Sequence, residues 1–236
     1  MKKLWKRFDD LSGKCYSNMI GAYKDFEVWN EAFGILLDIV SEGREKDPEY
    51  AKELVYLDDS TDFGHDVCGW LEDYLDELDM REEHEKLLKV CEKLLSLFRW
   101  EEDSPSDLYF RISAALANQG KYKEALEFCE KWYQKDADNI CAATALIYAG
   151  MGMKELDRAE ELVEKYISDS TECTEENDII FIAASALYKV NGNKKAEKRV
   201  NEAIQRYEKE LEEFYSGMDG EDEFDFDMMD EDLPFN

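Results

Sequence analysis

A chain of 236 residues, 44% hydrophobic and 13% aromatic, holds enough apolar side chain to bury a sizeable core in one or two domains. Its 58 acidic residues against 29 basic ones give a net charge of -29, which repels phosphate, argues against direct nucleic-acid binding and favours a basic partner. Only three prolines interrupt it, Pro48, Pro105 and Pro234, and that scarcity predicts near-continuous helix.

Residues 1–24 are locally basic, with Lys2, Lys3, Lys6, Arg7, Lys14 and Lys24 against Asp9 and Asp10. Leu4, Trp5 and Phe8 form the apolar side of an amphipathic helix, which suits either a membrane anchor or a first helix packed on the next. The second reading is favoured, because one short basic segment beside so acidic a body binds anionic lipid poorly. No apolar run follows the charges as a signal peptide requires, and the most apolar window, Phe33 to Val40, is too short to span a bilayer. The cysteines at 15, 68, 91, 129, 141 and 173 form no CxxC pair. That pattern predicts a reducing, cytoplasmic setting without structural disulfides.

From Asp25 a wide apolar stripe, Val28-Trp29, Ala32-Phe33, Leu36-Leu37 and Ile39-Val40, predicts a helix ended by Gly43. Asp47-Pro48-Glu49 reads as the start of another helix running to about Leu57. The acidic stretch Asp58 to Asp62 invites a calcium reading that its spacing fails: Gly64 falls one place late, and Gly69 stands where the closing glutamate belongs. An ordinary capped turn is expected there instead. Helices at about 65–79 and 81–99 follow, with Cys68, Leu71 and Leu75 facing Leu88, Cys91 and Leu95 as an irregular hairpin.

Beyond Pro105 the pattern becomes periodic. Tyr109, Ile112, Ser113 and Leu116 share one helical face, and Ala125, Cys129 and Trp132 share another across a turn at Asn118 to Lys121. About 34 residues on, Ala143, Leu146, Ile147 and Gly150, then Ala159, Val163 and Tyr166, hold the same offsets. A third copy, shifted by about 37, has Ile180, Ala183, Ala184 and Leu187, then Ala196, Val200 and Ala203. The last helix continues through Tyr207 to Tyr215, and Gly217 and Gly220 end the fold. The remaining tail alternates acids with Phe224, Phe226, Met228, Met229, Leu233 and Phe235, a composition shared by solubilising ends and by partner-binding segments.

These residues resemble the tetratricopeptide repeat, a family whose second helix carries a small Ala followed by an aromatic and a closing Pro. Tyr109, Ile112-Ser113, Leu116, Ala125 and Cys129 fit its pattern, and Lys121-Tyr122-Lys123-Glu124-Ala125-Leu126 is the nearest literal match. The departures are Ala137 in place of the closing Pro, Ile147 in place of a small residue, and three extra residues before the third copy. The resemblance covers Ser106 to about Glu210. It implies an all-α fold, a right-handed α-superhelix of stacked antiparallel hairpins. The expected division is an irregular helical part at 1–104, three hairpins with a capping helix at 105–215, and the acidic tail at 216–236.

The resemblance also implies a concave groove lined by the first helix of each hairpin. Its inward set is Asp107, Phe110, Ala114, Ala117 and Asn118, then Cys141, Thr144, Tyr148 and Met151, then Asp178, Phe181, Ser185, Tyr188 and Lys189. The upstream hairpin adds Asp66, Asp73, Asp76 and Glu77 as an acidic end. Only Asn118 and Lys189 suit a carboxylate clamp, so the groove is expected to take a protein or peptide with apolar anchors and a basic end.

The expected function is therefore a non-catalytic interaction module or scaffold, with neither membrane nor cofactor. The alternative is an acidic decoy that sequesters a basic, nucleic-acid-binding protein. His65 with Cys68 and His84 with Cys91 share helical faces as a zinc site would, yet close ligand pairs on loops are absent and both cysteines fit the apolar stripe, so no metal is expected. No phosphate loop, nucleophile elbow or HExxH occurs, which argues against an enzyme.

Overall fold

The structure is a computed structural model that describes residues 1–218. Those residues hold eleven helices and no strand, as the periodicity and the scarcity of proline predict. The described residues separate into two compact units, Met1–Met153 and one that begins at Lys154.

In the first unit α1 (Lys2–Met19) lies along α2 (Glu27–Lys46). Phe8, Leu11 and Cys15 recur at helical spacing and are buried in the unit's core with Val28, Trp29, Ala32 and Leu36 of α2. The apolar side of α1 is thus used inside the protein. Trp29 stacks on Trp70 and on Tyr74 of α4 (Val67–Met80), with ring centroids 5.7 and 5.9 Å apart. Burial of each such ring is worth about 2 to 3 kcal/mol, so this trio ties α2 to α4.

Two predicted boundaries are corrected. Gly43 does not end α2: it stays helical and buried, and a Cβ there would overlap the Tyr50 ring, so the glycine serves close approach. Residues 48–55 form turns and bends, and only the short α3 (Tyr56–Asp59) is helical. Arg44 supplies the reason. Its guanidinium donates to the carbonyls of Tyr50 (3.1 Å), Ala51 (2.6 Å) and Leu97 (2.8 Å), and two of those oxygens would otherwise propagate the helix.

The acidic stretch proves to be a cap. Asp58 points inward, 2% exposed, and its carboxylate accepts from the backbone N–H of Val67 (2.6 Å) and Cys68 (2.9 Å) at the start of α4. It reaches across the loop to satisfy two donors the helix leaves open.

Helix α5 (His84–Leu97) pairs with α4, and α6 (Ser106–Asn118) packs on α5. Helix α7 (Tyr122–Lys135) returns along α6, and α8 (Ile140–Met153) packs on both. Gly120 turns the first periodic hairpin at φ +75°, where a side chain would be strained, and lets Lys121 N–H close on the Leu116 carbonyl at 3.0 Å. Ala125, Cys129 and Trp132 of α7 are buried, as are Ala143, Leu146, Ile147 and Gly150 of α8.

The second unit repeats the scheme with α9 (Leu156–Tyr166), α10 (Asp178–Asn191) and α11 (Lys194–Met218). Helix α10 packs against both α9 and α11. Ala159, Val163, Ile180, Ala183, Ala184, Leu187, Val200 and Ala203 are buried, and Gly192 caps α10 in the left-handed region. No helix among the described residues is long and apolar enough to cross a membrane.

Candidate binding surface on α4, α6 and α8

Helices α6 and α8 lie side by side in the first unit, and small residues on both leave room between them. Phe110 of α6 and Tyr148 of α8 meet edge to face, with centroids 6.4 Å apart. Beside them is a cleft of about 310 Å³ lined by Ser113, Ala114, Ala117, Ala145 and Ala149. No charged side chain lines it. Tyr148 stays 38% exposed and Phe110 is half-buried, so both rings present surface to an incoming group. Partial desolvation pushes the Tyr148 phenol up, which keeps it neutral and able to donate.

Charge begins one residue away. Arg111 donates to Asp107 (2.8 Å), one turn earlier, and to Asp76 of α4 (2.7 Å), bridging the helices. Asp73 lies on the same face of α4 and has no cation on it. Burial, then Asp76 and Asp66, push its carboxyl up, with the Tyr16 hydroxyl of α1 acting in the opposite sense. The surface thus runs from an unneutralised acidic patch at Asp66 and Asp73, past a paired arginine, to an uncharged aromatic cleft.

Four expected groove residues are placed elsewhere. Glu77 is buried and bound to Arg81 at 2.8 Å, because it sits one residue round the helix from Asp76 and faces inward. Phe181 and Tyr188 are 1% and 2% exposed, so they are core side chains. Helix α10 is flanked by α9 and α11, which leaves only Ile182, Lys189 and Val190 outward on its later turns. Thr144 is likewise buried, while Asn118 is exposed and Met151 half-buried. Phe224, Phe226, Met228, Met229 and Phe235 lie outside the described residues.

Sequence reasoning missed Arg111 and Tyr16. The first was detectable, since Arg111 follows Asp107 by four residues, the spacing of a helical ion pair. Nothing local marks Tyr16, whose role depends on the packing of α1 beside α4.

The histidines and cysteines do not assemble into a site. His65 stacks on Trp5 with centroids 4.2 Å apart, and its Nδ1 lies 2.6 Å from Asp9 Oδ1. His84 Nδ1 stands 3.8 Å from Asp79. Among the described residues no group of three or more His, Cys, Asp or Glu side chains is placed to hold a metal. Burial pushes the thiols of Cys15, Cys91 and Cys129 up to about 12, so they remain protonated and poor nucleophiles.

The family model for the tetratricopeptide repeat matches residues 116–175, from the last turn of α6 through α7, α8 and α9. No curated protein and no solved structure matches the chain. The match, with α6, α7 and α8 packed on one another, shows a likeness to the tetratricopeptide-repeat family over residues 116–175.

Proposed function

We propose that this protein is a non-catalytic interaction module that holds, across α4, α6 and α8, a partner segment with one large apolar side chain and a basic end. The tetratricopeptide repeat suggests a protein–protein interaction module, and the character of the segment is our reading of the surface. The observation that carries it is the uncharged cleft between Phe110 and Tyr148, floored by alanines and sized for a single side chain.

Magnitudes decide which feature dominates. Burying one large apolar side chain in the cleft contributes about 1.5 to 3 kcal/mol. A surface pair to Asp66 or Asp73 contributes about 0.2 to 1 kcal/mol and is screened by salt. The apolar anchor therefore sets affinity and the acids set orientation, which distinguishes this function from an acidic decoy. A reducing, cytoplasmic setting agrees with the six unpaired thiols.

An arrayed peptide library graded in net charge and aromatic content tests the reading. Peptides combining an aromatic or leucine with lysine or arginine should be retained in high salt, and Tyr148→Ala should release them. Enrichment of basic peptides regardless of aromatic content, all lost in high salt, would instead establish the decoy.

A further inference from the structure

Helix α11 runs past the helix it packs on. Helix α10 spans 14 residues and packs on α11, which spans 25, so antiparallel pairing across the turn at residues 192–193 brings the start of α10 level with about Tyr207. The helix nevertheless continues to Met218, about 16 Å further. A helical extension of this length is marginal in water on its own. Its apolar residues keep a register: Val200, Ile204, Tyr207, Leu211 and Phe214 alternate spacings of four and three, the heptad pattern of a helix seam. Val200 is buried under α10, Ile204, Tyr207 and Leu211 are half-buried, and Phe214 is 61% exposed. The seam outlasts its partner inside the second unit.

We propose that α11 from Tyr207 to Phe214 is a docking seam for an amphipathic helix of another protein, apolar along its seam and basic on its flanks. Charge selects this occupant. Glu208 and Glu210 flank the seam on its two sides, Glu212 and Glu213 follow, and Lys209 is the single base among them. Only acidic charges occur from Asp219 to Asp232. A second copy would set these glutamates against their own kind, and so would the chain's acidic end, whereas lysine or arginine on a partner's flanks meets them. This surface belongs to the second unit and does not depend on the Phe110–Tyr148 cleft.

The probe is a synthetic peptide of about four heptads with leucine on the seam and lysine on both flanks. It is titrated into the full chain by calorimetry, with amide hydrogen exchange to locate it. The peptide should protect residues 207–214 and bind at least tenfold more weakly to Leu211→Asp/Phe214→Asp. Ser216→Asp, on the opposite side of the helix, should bind as the native chain does, and all chains are compared in a Phe110→Ala/Tyr148→Ala background, which removes the cleft as a second site for the peptide. A peptide with glutamate flanks should not bind. The proposal is overturned if the glutamate peptide binds as well as the lysine one, or if the seam double variant retains full affinity. It is also overturned if sedimentation shows a dimer lost in Phe214→Asp, which makes a second copy the occupant. Protection of 207–214 in the unliganded chain that vanishes on truncation after Met218 would overturn it in favour of the chain's own end.

Discussion

Replacing Asp58 with alanine should be among the most damaging single changes in the first unit. Its carboxylate accepts from two backbone donors, at 2.6 and 2.9 Å, and Val67, which supplies one, is fully buried. Hydrogen bonds to a charged group are worth about 1.5 to 3 kcal/mol each, but losing the carboxylate also removes its own desolvation cost. The net expectation is about 3 kcal/mol for Asp58→Ala and about half that for Asp58→Asn, which keeps one acceptor oxygen. The assay is urea unfolding followed by tryptophan fluorescence, and all five tryptophans precede residue 154, so the signal reports the first unit. Hydrogen exchange should show Val67 and Cys68 opening first. A loss under about 0.5 kcal/mol with both amides still protected would refute the capping role.

Ala125→Leu should overpack the α6–α7 crossing, where Ala125 is fully buried, and lower stability by about 1 to 3 kcal/mol; an unchanged urea midpoint would misplace the repeat register. Asp73→Asn should act in the opposite sense. The folded carboxyl titrates above the ordinary value of 3.8, so ionisation costs stability that is fully present below that value and is lost as pH rises through the folded pKa. The variant should therefore be the more stable form at neutral pH, with the difference closing as pH falls toward 3.8, and should hold basic peptides less well. A difference independent of pH would show that charge is not its cause.

Helix positions and the core faces of the repeats were legible because they rest on spacing alone. Ala125, Cys129, Ile147, Ala159 and Leu187 sit at period-related positions and all are buried. The failures came where a distant side chain overrode a local signal. Asp47-Pro48-Glu49 has the composition of a helix start, yet Arg44 claims the carbonyls that would extend it. Gly43 reads as a stop and serves instead as a seat for Tyr50. The groove was half legible: Phe110, Ala114 and Tyr148 come together across α6 and α8, because neighbouring hairpins present equivalent faces. Phe181 and Tyr188 hold similar register positions but are enclosed, and periodicity does not state how far round its circumference a helix is covered.

Alanine-methyl NMR measures occupancy of the cleft beside Phe110 and Tyr148 most directly. The full chain is titrated, at low and high salt, with a peptide of one tryptophan followed by lysines. Methyls of Ala114, Ala117, Ala145 and Ala149 should shift at both salt concentrations. The shifts should vanish in Phe110→Ala/Tyr148→Ala, whose stability falls by no more than about 1 to 2 kcal/mol, the worth of one ring contact and half-exposed area. Shifts that spare these four methyls, or that disappear in high salt, would show that charge alone recruits the peptide and that the cleft does not hold it.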